Sequence, residues 1–210
     1  MYYNTHMDKV IHTIGYSAFS DINEFLRQLQ EHNIDVLIDV RSSPISSEYW
    51  KQYSIDSLEP FLTRNHIRYR NYAREFGARQ ENTAYYPNGY LDFDKFIQSD
   101  AFQSGISKIQ QGIDMGYKFS LMCAEKDPIS CHRTIMVAKG FKQNGFAIKH
   151  IMANGEIQTQ EDIEKRLVDM YFPERNQLNL FENKTNEEYI EEAYKKQNQK
   201  IGYKKEEEQE

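Results

Sequence analysis

The sequence predicts an α/β fold: a three-layer open sheet, mostly parallel, of Rossmann-like or flavodoxin-like type, with a C-terminal helical extension and a flexible tail. Three observations carry that prediction. Apolar runs of strand length recur along the chain, segments with helical spacing separate them, and strand alternates with helix through residue 152. Runs that are apolar on both faces mark a parallel sheet covered on both sides. The alternation implies right-handed βαβ crossovers, with helices on either face.

Taken in order, "KVIHTIGY" (Lys9–Tyr16) is a β-branched run closed by Gly15 and reads as a buried strand. "DINEFLRQLQEHN" (Asp21–Asn33) spaces Ile22, Phe25, Leu26 and Leu29 as a helix does, with Ser20 or Asp21 as N-cap. "IDVLIDV" (Ile34–Val40) is the second strand, a helix follows over Ser57–Asn65, and "IRYRNY" (Ile67–Tyr72) is the third strand. Asp92–Gly116 is helical in two pieces that meet near Ser99, and "YKFSLMC" (Tyr117–Cys123) is the fourth strand. His132–Asn144 is a helix stopped by Gly145, and "FAIKHIM" (Phe146–Met152) is the fifth strand. The stretch Arg74–Leu91, rich in Tyr, Asn and Gly, is too long for an ordinary connection, and loops of that length are usually functional or mobile. "NGEIQTQEDIEKRLVDMYF" reads as a helix packing by Ile163, Leu167 and Met170 and ended by Pro173. These elements make one domain over residues 8–172. Residues 173–210 form a polar tail, with a short charged helix near Asn186–Lys196 that is expected to be mobile.

Composition narrows the class. The 210 residues are 39% hydrophobic and 13% aromatic, enough for a substantial core, which excludes wholesale disorder. The net charge of −6, much of it beyond Tyr171, argues against a histone-like nucleic-acid coat but not against a local basic cleft. No apolar run approaches the roughly 20 residues of a membrane span. "MYYNTHMDK" lacks the layout of a secretory signal, and two cysteines fit a reducing compartment, so a cytoplasmic setting without membrane attachment is expected.

In open α/β sheets, ligands bind outside the carboxyl ends of the strands. Those ends deliver Gly15, Tyr16 and Ser17; then Asp39, Arg41, Ser42 and Ser43; then Cys123 and Glu125, with Cys131, His132 and Arg133 opening the next helix. Three distant segments therefore bring their distinctive chemistry to one edge. Bland readings stand beside this one. Asp39 can serve only as a cap or ion-pair partner, Arg41 can serve only to neutralise it, and Cys123 can be a small core residue.

Three chemistries compete for "LMCAEKDPISCHR" (Leu121–Arg133), which holds both cysteines. A metal site would use Cys123, Cys131 and His132, but the spacing matches no standard zinc pattern and no fourth ligand is evident, so no cofactor is predicted. A thiol enzyme would use Cys131, whose pKa a helix start and two cationic neighbours would lower. The Cys-x5-Arg phosphate loop of phosphatases and rhodaneses is absent. In the preferred reading, Arg41, Arg133 and backbone N–H groups bind a phosphate while Asp39 or Glu125 acts as acid or base, assisted by Cys131 and His132.

The segments "TIGYS", "LIDVRSSPIS", "YLDFDKFIQSDAFQSGI", "LMCAEKDPISCHR" and His150–Ile151 resemble the domain of unknown function 488 family. The resemblance spans Val10 to Met152. It implies an α/β fold and a shared polar site, and carried residue by residue it marks Gly15, Tyr16, Ser17, Asp39, Arg41, Pro44, Cys123, Glu125, Cys131, His132 and Arg133. "REFGAR" (Arg74–Arg79) departs from a Leu-Gly-Gly-Arg-like run frequent in the family, with Arg79 as the equivalent basic residue.

In the tail, "QLNLF" resembles the bacterial sliding-clamp-binding motif, with Gln177, Leu178, Leu180 and Phe181 as contacts and Asn179 in place of the usual Ser or Asp. Its apolar residues can equally pack back on the domain. A clamp partner would tie the chain to DNA replication or repair. A Tyr-rich surface (Tyr69, Tyr72, Tyr85, Tyr86, Tyr90) and the four arginines of "TRNHIRYRNYAR" could then stack a base and track a strand, although alternating Arg and Tyr also describes an exposed sheet edge. The expectation is an enzyme acting on nucleic acid or a nucleotide, by a hydrolytic or base-processing step. The alternatives are a non-catalytic nucleotide- or DNA-binding module recruited through its tail, and thiol or metal chemistry at Cys123, Cys131 and His132.

Overall fold

The β-branched and apolar runs do form the centre of the molecule. The computed structural model describes residues 9–175 and 184–205. Strands β1 (Val10–Gly15), β2 (Val36–Asp39), β3 (Arg68–Asn71), β4 (Phe119–Cys123), β5 (Ala147–Ile151) and β6 (Ile157–Thr159) join in one sheet of order β3-β2-β4-β1-β5-β6. All neighbours are parallel except β5 and β6. Every residue of β2 and β4 is buried, as their unbroken apolar runs require.

The order explains the layers. The chain moves outward from β1 to β2 to β3 through α1 (Ile22–Glu31) and α2 (Ile55–Arg64), then returns to β4 and on to β5. Right-handed crossovers in opposite directions lie on opposite faces. Phe25, Leu26 and Leu29 of α1 and Leu58 and Leu62 of α2 accordingly pack in one cluster with Ile14 and Leu37. The other face is covered by α3 (Ala73–Phe76), α4 (Phe93–Ile97), α5 (Asp100–Asp114), a π-helical turn at Arg133–Ala138 running into α6 (Lys139–Gln143), and α7 (Gln160–Tyr171). Asp21 caps α1 through Asn23 N–H at 2.8 Å, and Ser99 caps α5 where the two expected helical pieces meet.

Two regions differ from the sequence reading. Residues 154–159 are not helical: Gly155, at φ +81°, reverses the chain and β6 pairs back on β5 before Thr159 caps α7. Helix α7 packs by Ile163 and Leu167 as expected, with Val168 rather than Met170 completing the buried face; Met170 is 44% exposed. The charged segment near Asn186 is a longer helix, α8 (Asn186–Ile201), and it docks on the domain rather than standing off it. Tyr189, Ala193, Tyr194, Gln197 and Asn198 are buried. Asn198 accepts from Phe93 N–H at 2.9 Å and donates to Leu91 C=O at 2.8 Å, while Gln197 donates to Ile129 C=O at 2.7 Å. Residues 177–181 lie outside the described residues. No helix among the described residues is long and apolar enough to cross a membrane.

A buried polar chain runs through the second face. His150 Nε2 donates to Gln160 Oε1 at 2.8 Å, Thr13 Oγ1 lies 2.8 Å from His150 Nδ1, and Gln160 Nε2 donates to the Tyr194 hydroxyl at 2.7 Å. Burial, aided by the charge of Arg133, pushes the His150 imidazole down to about 4. Burial also lowers His12 to about 4, with His32 adding to it. Each ring is neutral when folded and takes a proton near pH 6.5 when unfolded, so its contribution is complete above that pH and is lost as the pH falls toward 4. We expect unfolding free energy to drop by about 1.5 kcal/mol per histidine between pH 6.5 and 5, above the carboxylate range. Urea melts across that window check this, and His150→Gln should remove roughly half of the drop.

Candidate functional site

At the carboxyl edge of the sheet, Gly15 of β1 lies beside Cys123 of β4, and β2 ends one residue short of Val40 on the other side of β4. The chain then closes over Gly15. Ser17 N–H donates to Ala124 C=O at 3.0 Å, and a Cβ on Gly15 would meet the Glu125 carbonyl oxygen at 1.9 Å. Only glycine admits that approach. Arg133 holds the turn from inside: 1% exposed, it donates through Nη1 to Glu125 C=O at 2.5 Å and through Nη2 to Lys126 C=O at 3.4 Å. Among the described residues no carboxylate pairs with it, and its Nε has no partner.

This turn gathers four reactive groups. One donor atom each from Cys123, Glu125, Cys131 and His132 lie within 4.8 Å of one another. Cys123 Sγ is 3.6 Å from His132 Nδ1, and the Cys131 thiol donates to Glu125 Oε2 at 2.7 Å. His132 Nε2 donates to Val40 C=O at 2.9 Å, so Nδ1 is the nitrogen that faces the thiols. Both cysteines are free and buried. Burial pushes the Cys123 thiol well up, with Cys131 adding to the shift. Burial works in the same direction on Cys131, but its neighbour Cys123, the Arg133 guanidinium and the His132 imidazole outweigh it and hold that thiol well below its ordinary value. Glu125 is exposed as a residue, but its carboxyl end is desolvated against the thiols, and this, then Cys131, raises its pKa.

Asp39 and Arg41 form a second unit. Asp39 is fully buried and accepts from Arg41 Nε at 2.9 Å, Arg41 Nη2 at 2.6 Å, Arg41 N–H at 3.0 Å and the Tyr69 hydroxyl at 2.7 Å. It has no face toward solvent and stands behind Arg41. Arg41 also donates to Tyr53 C=O and Ser46 Oγ, both at 2.9 Å, and its guanidinium lies 5.2 Å over the Tyr16 ring, which stacks on Tyr53 at 4.5 Å. Of the five N–H donors on the guanidinium, one on Nη1 is left for a ligand.

Between the two units opens a cavity of about 390 Å³. Its walls include Tyr16, Arg41, Ser42, Ser43 and Arg79, its floor Cys123, Glu125 and His132, and its rim Ile201 and Tyr203. Arg79 N–H donates to Ser42 Oγ at 2.9 Å, which ties the 77–79 loop to the end of β2, and its guanidinium lies 4.8 Å over the Tyr203 ring. Of the residues expected at the site, the cavity thus collects Tyr16, Arg41, Ser42, Arg79, Cys123, Glu125 and His132. Cys131 sits directly behind the floor, whereas Gly15, Ser17, Asp39 and Arg133 build the site from within and do not line it. An Arg133 with its fork committed to two carbonyls is not placed to bind a phosphate.

None of the five tyrosines expected to stack a base lines this cavity. Tyr69 points inward to Asp39, and the Tyr86 hydroxyl is held by the backbone of Gln80. The aromatic groups that do face it are Tyr16 and Tyr203. Tyr203 arrives only because α8 docks, and no sequence signal announces that. The sequence brings Glu125 to the same sheet edge as Cys123, but its contact with Cys131 depends on the turn after β4 and was not legible.

The model of one family, described as Domain of unknown function DUF488, matches residues 21–139, more than half of the chain. The protein belongs to this family. No curated protein and no solved structure matches it. The matched stretch takes in both arginines of the cavity wall, the three groups of the floor and Cys131 behind it, while "TIGYS" and His150 fall outside it.

If Asp39 serves to hold Arg41, removing it leaves a buried guanidinium unpaired. Asp39→Ala is expected to destabilise the fold by about 3–5 kcal/mol, well beyond the effect of losing a surface carboxylate. Chemical denaturation of the two proteins measures the difference.

Proposed function

We propose that this DUF488 protein is an enzyme acting on a nucleotide or a nucleic-acid strand, by a hydrolytic or base-processing step. The observation that carries the reading is the cavity itself. Two arginines from separate segments face a carboxylate, an imidazole and a thiol across a space of about 390 Å³. Small-molecule sites of roughly 300–1,000 Å³ commonly accept ligands of nucleotide size. In this reading Arg79, exposed and without a carboxylate partner among the described residues, is the main phosphate contact, and the spare N–H of Arg41 fixes a second oxygen. Tyr203 offers an aromatic face at the rim, and Glu125 and His132 supply acid and base beside the reacting bond. Asp39 positions Arg41, and Arg133 positions Glu125.

The only tryptophan, Trp50, lies 5.7 Å from Tyr16, so its fluorescence can report occupancy. Nucleoside phosphates and short single-stranded oligonucleotides are expected to quench it. Arg79→Glu should weaken binding about tenfold or more and flatten the salt dependence. Glu125→Gln should lower turnover of the ligand that binds by on the order of 10²–10⁴ while retaining affinity. Absence of binding by every nucleotide and oligonucleotide removes the reading. Binding without turnover by the unaltered chain makes it a non-catalytic module instead.

The setting we propose is DNA replication or repair, through contact of Gln177, Leu178, Leu180 and Phe181 with a sliding clamp. Its support is the peptide sequence alone. Leu180→Ala with Phe181→Ala is expected to abolish co-purification with the clamp, and failure of the unaltered chain to bind the clamp would end this part of the proposal.

A further inference from the structure

We propose that Cys123, Glu125, Cys131 and His132 form a binding site for one divalent ion of the zinc class. Each contributes one donor atom, and the four lie within 4.8 Å of one another. Around a tetrahedral ion with ligands at roughly 2.0–2.3 Å, donors stand about 3.3–3.8 Å apart. Cys123 Sγ and His132 Nδ1, at 3.6 Å, already have that spacing. Cys131 Sγ and Glu125 Oε2, at 2.7 Å, need to part by about an ångström, and Glu125 lies on the exposed side of the turn.

The surroundings supply the outer contacts that such ligands use. The Nε2–H of His132 is engaged by Val40 C=O at 2.9 Å, the usual way a ligating imidazole has its other nitrogen fixed and its lone pair aimed. Cys131 Sγ accepts from Arg133 N–H at 3.4 Å, a contact that suits a thiolate. Charge points the same way. Two thiolates and a carboxylate cannot share so small a space uncompensated, and Arg133 is buried beside them with no carboxylate partner among the described residues. Three anionic ligands, one divalent cation and one guanidinium sum to zero.

The chain arrives as two short pairs. Cys123 and Glu125 leave the end of β4 on one side, and Cys131 and His132 return adjacent at the start of the next helical turn. Two sulfurs and an imidazole select zinc, cobalt or iron over magnesium or calcium, which prefer oxygen. Cys123, Glu125 and His132 line the cavity, so an ion held there faces whatever the cavity binds, with Glu125 as its most exchangeable ligand. The site shares Glu125 and His132 with the proposed active site: with an ion bound they are its ligands, so the acid and base roles proposed above belong to the ion-free protein, and the ion's binding does not depend on the substrate.

Elemental analysis of the full chain, purified without chelator, is expected to find one zinc per molecule. After stripping, cobalt(II) should bind at one equivalent and show thiolate-to-cobalt charge transfer with the intense visible bands of a tetrahedral centre. Glu125→Gln, altered on the exposed side and so expected to fold, should weaken cobalt at least tenfold. Cys131→Ser should abolish the charge-transfer band or halve it. Trace metal only, cobalt bound without that band, or an unchanged affinity in Glu125→Gln each overturns the four-ligand site. All are read without substrate, so failure here leaves the nucleotide reading standing, and a failed nucleotide titration leaves the ion standing.

Discussion

The guanidinium of Arg133 sits inside the protein with two carbonyl oxygens for company and, among the described residues, no carboxylate. A buried charge is tolerated only where hydrogen bonds and opposite charge offset its lost hydration. The carbonyls of Glu125 and Lys126 supply the first, and Cys131, whose pKa the guanidinium helps lower, the second. Because both carbonyls belong to the turn after β4, satisfying Arg133 fixes the path of residues 124–127. That path brings the Glu125 carbonyl against Gly15, where no side chain fits. It also sets Glu125 across from Cys131. One buried cation therefore determines the shape of the turn, the residue β1 must end on, and the electrostatics of the four-group cluster.

The opposite wall is built on a different principle. Asp39 and Arg41 face each other with ideal bidentate geometry, and Tyr69, Tyr53 and Ser46 absorb nearly all the remaining hydrogen-bonding capacity. Such a unit is rigid, and most of its charge is already neutralised. Arg79 is its complement: exposed, stacked on Tyr203, and held at its backbone by Ser42. An arriving anion would find little to rearrange in Arg41 and, in Arg79, an exposed guanidinium without a carboxylate partner among the described residues. Affinity is therefore weighted toward Arg79 and orientation toward Arg41.

Much of this was legible in the sequence because it follows from burial. Apolar runs located five strands, and the rule that parallel sheets carry their sites at the carboxyl ends brought Tyr16, Arg41, Cys123, Glu125 and His132 together. The sequence was silent where polar groups point inward. Asp39 and Arg133 look like site residues from their type, and only their partners place them behind the cavity. Strand β6 was hidden inside a helical pattern, although Asn154-Gly155 is a recognised turn pair. Helix α8 was expected as a short charged helix, but its docking was not, because it joins a short stripe of Tyr189, Ala193 and Tyr194 to side-chain amides and to a buried lysine of the domain. Lys139, 5% exposed at its side chain, meets Asp94 and Glu191 at 2.7 and 3.0 Å and lies 4.7 Å from the Tyr194 ring.

That mode of docking binds α8 to the core more firmly than its low hydropathy implies. A neutral hydrogen bond contributes about 0.5–1.5 kcal/mol net, but stripping a partner from a buried group costs the whole desolvation of that group. Were α8 to leave, the carbonyls of Leu91 and Ile129 and the N–H of Phe93 would lose the partners that Asn198 and Gln197 provide. The Leu91 N–H would lose Tyr203 C=O as well. Undocking is thus opposed by groups that belong to the domain, not to the helix. Tyr203 and Ile201 ride on this helix and its exit, so the rim of the cavity is as fixed as those buried amides make it. The family match stops at residue 139 and holds the floor and both arginines, whereas the rim comes from beyond it. Tyr16 of the wall also lies outside the matched residues, so the cavity is closed by groups from both sides of the stretch that the family model matches.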